Sequence, residues 1–227
     1  MASVRAWCNR HGFVHQVLGD ELFDLVPGHI REKLWRRKPV LADLARLRLM
    51  INFMERSEES VIWLDADSLV LDPSWRPHTP SGVSFGEEYW VDCGKGERLR
   101  HFRQPHNAFM MSSPGDPVLP FLEYLSLSML ERVQPNFVAP QMIGPKLLKT
   151  LHNLATFKLH PEAGALSPLL ATDLASGGGA ALVYLLNNNL PRPKILNLCG
   201  SLAGQGQHAE NLDKITAQPE VINKLLQ

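Results

Sequence analysis

The stretch "VIWLDADSLVLDP", Val61 to Pro73, decides how the rest is read. Four apolar residues, Val61 to Leu64, run into two aspartates spaced i, i+2. Such a run is apolar on both faces, as in the central strand of a parallel sheet. Side chains at i and i+2 of an extended segment point the same way. Ligands of open α/β sheets bind outside the carboxyl ends of the strands. Asp65 and Asp67 are therefore predicted to form a hard-cation site for Mg²⁺ or Mn²⁺. Such ions keep waters and bind substrate phosphates beside one or two carboxylates, which implies diphosphate binding or phosphoryl chemistry. The alternative is that both aspartates are ordinary turn residues, with Asp72-Pro73 ending the unit.

Elements read outward from this strand. Upstream, Pro39 opens a helix in which Leu41, Leu44, Leu47, Ile51 and Met54 make an inward stripe. Residues Ser3 to Asn9 read as a helix ending near Gly12, "FVHQVLGD" as a short strand, and "ELFDLVPGHI" as a loop or helical turn. Downstream, "GVSFGEEY" and "NAFMMSS" read as strands around a basic loop, "KGERLRHFRQPH". Asp116-Pro117 opens a helix to about Arg132, and another starts near Pro145. "TFKLHPEAGALSP" reads as strand then loop, and "PRPKILNLCGSLAGQG" as a short strand and loop. Gly177-Gly178-Gly179 reads as a turn between two short helices, because no strand precedes it and no phosphate-loop pattern surrounds it. Alternating strands and helices predict an α/β fold with a mostly parallel sheet.

Bulk properties narrow the function classes. The 227 residues suit one large domain or two small ones. Net charge is zero, which gives no electrostatic case for a nucleic-acid partner. The three cysteines, Cys8, Cys93 and Cys199, form no CxxC and no disulfide framework. That favours a reducing compartment. No segment reaches the roughly 18 apolar residues of a membrane span. No signal-type run is seen at the N-terminus. A cytoplasmic location is expected.

Two enzyme classes place DxD after such a strand. Haloacid-dehalogenase phosphatases carry it near the domain start, followed by a lysine and an acidic pair. Here 64 residues precede Asp65, and Asp92, Asp116, Asp173 and Asp213 stand singly. The other class is nucleotide-sugar transferases of the GT-A fold. "LADLARLRLMINF…VIWLDADSLVL" resembles the DXD sugar-binding family of retaining glycosyltransferases, which includes Golgi mannosyl- and galactosyltransferases and bacterial polysaccharide transferases. The matching motifs are Asp43-x-x-Arg46, Asp65-x-Asp67, "HNAFMMSSPGDP" and the Gly-Pro helix start in "QMIGPKLL". They span about Val40 to Leu148 in family order. Two features depart from the pattern. "MERSEES" stands where the family has a glycine pair. The chain begins at the family's first helix, without a counterpart of the first strand.

The resemblance implies a single GT-A-like domain over 1–227. Residues 1–135 would form the nucleotide-sugar and metal half, and 136–227 the acceptor side. It implies Asp67 as direct metal ligand and Asp65 as a contact to ribose and to the metal's water shell. Asp43, Arg46 and Asn107 would bind the donor sugar. Asn197 and Ser201 are candidates for a third metal ligand in the C-terminal segment. His106 and His160 read as structural. The expected activity is metal-dependent transfer, with retention, from a nucleoside-diphosphate sugar to a hydroxyl acceptor. That acceptor could be a glycan, a lipid-linked sugar or a small molecule. The competing expectations are a haloacid-dehalogenase-like phosphatase and a non-catalytic nucleotide-sugar binder.

Overall fold

Helix α1 (Ala2–His11) ends at Gly12, whose φ of 71° gives a left-handed cap. The computed structural model describes residues 1–56, 59–78, 82–202, 204 and 207–226. The segment "MERSEES" and the loop "SLAGQG" therefore lie partly outside the described residues. No strand forms over residues 13–18, although the sequence suggests one there. A 3₁₀ turn (Asp20–Leu25) and the short helix α2 (Gly28–Lys33) follow. Pro39 then sits in the first turn of α3 (Lys38–Met54), where its missing N–H costs nothing. The predicted stripe from Leu41 to Met54 is buried throughout, and so are Asp43 and Arg46.

Strand β1 (Val61–Leu64) leads through a tight turn into β2 (Ser68–Val70). Next come β3 (Val83–Cys93), β4 (Leu99–Ser112), α4 (Val118–Arg132) and α5 (Pro145–Ala155). The chain closes with β5 (Lys158–His160), β6 (Ala163–Ala165), α6 (Pro168–Ser176), α7 (Ala180–Asn187), β7 (Ile195–Asn197), α8 (His208–Ala217) and α9 (Pro219–Leu225). Gly177 to Gly179 turn α6 into α7, as predicted, and the Asp173 carboxylate accepts the Leu182 N–H there. Among the described residues no single helix is long and apolar enough to cross a membrane.

The architecture is α/β with two mixed sheets, so the expectation of a mostly parallel sheet is corrected. The larger sheet has the order β1-β4-β3-β5, with β4 antiparallel to β1 and β3, and β5 parallel to β3. The smaller has the order β2-β7-β6, with β7 antiparallel to β2 and parallel to β6. The cause is a long hairpin. Strands β3 and β4 are joined by a short turn, and a short connection permits only antiparallel pairing. Much of the predicted basic loop is the outer half of β4. Residues Arg100 to Arg103 face solvent and leave no apolar alternation to read.

The reading of β1 as a central strand is corrected too. Among the described residues it pairs with β4 alone and lies at a sheet edge. Its side chains nevertheless serve two cores. Val61 and Trp63 pack with the core beneath α3, α4 and α5. Ile62 and Leu64 pack with a small core formed by Val4, Trp7 and Cys8 of α1 together with Val70 and Ile195. That is why the run is apolar on both faces. A third cluster joins β2, β7 and helices α6 to α9. Val138, Leu147, Leu151 and Phe157 belong to the first core, and the second is built by Leu69 and Leu71 together with the chain from Leu166 onward.

Candidate functional site

The turn Asp65–Ser68 connects the two sheets. The Ser68 N–H donates to the Asp65 carbonyl at 3.0 Å, closing a β-turn. The two carboxylates therefore do not project side by side from an extended strand, as the i, i+2 argument assumed. Each is held by a different half of the molecule.

Asp65 belongs to the half built on α3 and β4. Its Oδ1 accepts from Trp63 Nε1 at 2.7 Å and pairs with Arg46 Nη1 at 2.9 Å. Arg46 also donates to the Asn107 carbonyl at 2.9 Å, and its Nη2 lies 3.4 Å from Asp43 Oδ1. The guanidinium stands 5.5 Å from the centre of the Trp63 ring. Asn107 Nδ2 donates to Asp43 Oδ1 at 2.9 Å. Asp43, Arg46, Asp65 and Asn107, separated by up to 64 positions in sequence, thus form one network. Asp43 and Arg46 are one turn apart on α3 and share a face, and the register of β4 delivers Asn107 opposite them.

Asp67 belongs to the half built on β7. Its Oδ1 accepts from Asn197 Nδ2 at 2.7 Å, and its Oδ2 accepts the Gly200 N–H at 2.6 Å. Ser68 pairs with Asn197 across β2 and β7, which brings the amide within reach. Asn197 turns its other end to the Cys199 N–H, at 3.0 Å. It braces Asp67 through nitrogen, so the reading of Asn197 as an oxygen ligand is not what this geometry favours. Ser201 is exposed, and among the described residues no hydrogen bond joins it to Asp67.

Charge is concentrated here. Burial raises the Asp43 carboxyl to about 6, against the opposing pull of Arg46 and Asn107. Burial also works against the Arg46 charge, but Asp65 and Asp43 outweigh it and hold the guanidinium above its ordinary range. The Cys199 thiol is pushed up by burial and then by the charges of Glu88, Asp67 and Asp65. Glu88 is a buried carboxylate on β3, bonded to Gln104, that the sequence reading missed. Its signal was the pair of acids in "SFGEEYW", inside an otherwise strand-like run.

His106 and His160 are both buried and hydrogen-bonded. His106 Nδ1 accepts the Ala108 N–H, which leaves Nε2 to donate to the Ala163 carbonyl at 2.8 Å. His160 bonds Ser84 at 3.0 Å, and burial lowers its pKa to about 4. Gly144 lies against the network. A Cβ there would meet Asp43 Oδ2 at 2.7 Å and Asn107 Nδ2 at 3.3 Å.

Among the described residues no group of three or more His, Cys, Asp or Glu side chains gathers to hold a metal ion. Asp65 and Asp67 supply two carboxylates, and the bonds from Asn197 and Gly200 orient the second while leaving each of its oxygens a lone pair. Comparison of the chain with family models, curated proteins and solved structures finds no match.

Proposed function

We propose that this protein is a metal-dependent retaining glycosyltransferase of GT-A-like fold, using a nucleoside-diphosphate sugar and a hydroxyl acceptor. The observation that carries the reading is the Asp65–Asp67 turn. It joins the two sheets, with the Asp43–Arg46–Asn107 network on one side and the Asn197–Gly200 brace on the other. Four carboxylates, of Asp43, Asp65, Asp67 and Glu88, outnumber the one guanidinium of Arg46. Asp65 and Asp67, the more exposed of the four, would repel a bare diphosphate, so its binding calls for a divalent cation.

Asp65 and Asp67 would hold Mn²⁺ or Mg²⁺, which when bound neutralises the leaving diphosphate. Asp43 and Asn107 would orient sugar hydroxyls. Arg46, nearly out of solvent, is a positioning residue that fixes the Asp43 and Asp65 carboxylates. The acceptor hydroxyl would attack the anomeric carbon on the face of the departing diphosphate, which gives retention. The phosphatase alternative fits less well. It would expect the aspartate pair near the domain start and a downstream acidic pair, whereas 64 residues precede Asp65 and the later aspartates stand singly.

The test is thermal denaturation with UDP or GDP, in Mn²⁺, Mg²⁺ or chelator. A nucleotide at 100 times its dissociation constant should add about 2.7 kcal/mol of stability. For a chain of this size that is a rise of roughly 5–10 °C. The rise should need the metal and shrink in Asp67→Asn. Equal shifts in chelator would remove the metal bridge from the reading. The absence of any shift would remove the nucleotide.

A further inference from the structure

β1 has the composition of a strand flanked on both sides, yet it pairs on one side only. The register determines which backbone groups are left over. The Asp65 N–H donates to the Ala108 carbonyl at 3.0 Å, so these two residues form a hydrogen-bonded pair. In an antiparallel ladder, bonded pairs alternate with non-bonded ones. Trp63 opposite Met110 and Val61 opposite Ser112 therefore direct their N–H and C=O at β4. The same groups of Ile62 and Leu64 point to the free edge. Among the described residues no bond outside the β1–β4 ladder reaches them.

That edge lines a groove of about 1110 Å³. Another part of its wall is the segment Phe13–Leu18, which forms no strand. From Val14 to Leu18 its backbone makes no hydrogen bond within the described residues. Val14 is 99% exposed and Val17 is 50% exposed. Trp7, Leu22 and Phe53 extend the apolar lining.

We propose that this groove takes up an extended apolar segment donated by another polypeptide, which adds a strand to the free edge of β1. A small apolar molecule would cover the side chains but leave the backbone groups of Ile62 and Leu64 without partners. Only another backbone supplies donors and acceptors at the spacing of a pleated strand. The β1 of a second copy would itself line a groove, so pairing of two β1 edges is the less fitting occupant and is kept as an outcome of the test. The chain's own segment Phe13–Leu18 makes no hydrogen bond to β1 among the described residues. The Phe13 N–H bonds the Cys8 carbonyl, and the Gly19 N–H bonds the Glu21 carboxylate. It stays as a wall and offers a second row of backbone groups. The stretch Ser60–Asp65 matches an occupant of about five to seven residues, or roughly 20 Å. This inference stands apart from the reading of Asp65 and Asp67 as a metal site.

The test is residue-resolved amide exchange on the whole chain, alone and with a panel of capped peptides. Each peptide alternates Val, Ile, Leu or Thr between terminal lysines, and a matched set carries a central proline that cannot extend a ladder. Peptide uptake should slow exchange at Ile62 and Leu64 by at least about tenfold, with Val61 and Trp63 little changed. The proline set should be inert. Val14→Asp should weaken binding by at least about tenfold without harm to the fold, because that side chain packs on nothing. The proposal is overturned if no peptide slows exchange at millimolar concentration. It is equally overturned if Ile62 and Leu64 are already as protected as Trp63 without peptide. In a monomer that result would mean Phe13–Leu18 closes the edge, and in a dimer that a second copy does.

Discussion

Arg46 links more of the candidate site than any other side chain, and its burial sets the size of the expected effect. On an exposed helix, an Asp–Arg pair three residues apart contributes a few tenths of a kcal/mol. Here Arg46 also reaches Asp65 and the Asn107 carbonyl, out of solvent. Arg46→Ala leaves two carboxylates short of their cation and should cost about 3–5 kcal/mol in urea denaturation. A cost of only a few tenths would mean that the pair is solvated. Asp43 makes a separate claim about pH. Its pKa is near 6 in the folded protein against an ordinary 3.8, so the folded state holds the proton more tightly. Between those values the folded state carries more protons than the unfolded one, and stability falls as pH rises. The penalty is absent below about pH 4 and complete above about pH 6, with a size of roughly 3 kcal/mol. Asp43→Asn should flatten this dependence. Denaturation of both proteins at pH 4.5 and pH 7 checks it, and parallel lines would assign the slope to other groups.

Among the elements, the β3–β4 hairpin carries the most structure per residue and was the least legible in sequence. The outer half of β4 is exposed from Arg100 to Arg103, so neither an alternating nor a continuous apolar pattern marks it. Helix α3 was legible because one face is buried along its whole length, and α5 because Pro145 announces its start. β1 was legible as a strand but not as an edge, since two cores flank it and only pairing distinguishes the cases. Site membership divided in the same way. Asp65 and Asp67 stood out as charge at the end of an apolar run, whereas Glu88 and the brace from Gly200 depend on register. The register itself breaks between Phe85 and Gly86, where a Cβ would run into the His106 ring and meet the Ala163 carbonyl at 2.7 Å. Gly86→Ala must move backbone and break the His106 link between the sheets. It should cost about 3 kcal/mol, at the upper end for overpacking. Gly144→Ala should differ in kind. The added methyl presses on Asp43 and Asn107, so affinity for an intact sugar nucleotide should fall about tenfold or more while bare nucleotide binding holds. Calorimetry with both ligands on that variant distinguishes this from a general folding defect, which would weaken both alike.

At the scale of the molecule, the Asp65–Ser68 turn is a junction. On the β1 side of it lies the core of α3, α4 and α5, and on the β2 side the core of β7 and helices α6 to α9. Asp65 is anchored in the first and Asp67 is braced by the second. A ligand that engages both carboxylates must therefore hold two separately packed units together. A ligand that binds N and not U stabilises whatever must be folded for it to bind. If metal and nucleotide engage both aspartates, opening either unit forfeits the binding energy. Amide exchange should then slow both in α3 and in β7, although no residue of α3 beyond Asp43 and Arg46 need touch the ligand. In Asp67→Asn the coupling to β7 should be lost while any protection that reaches α3 through Asp65 remains. Exchange measured with UDP and Mn²⁺ on both proteins makes the comparison. Protection confined to α3 in the unsubstituted protein would show that Asp67 is only a turn residue bound to Asn197, and that the two halves do not share a ligand.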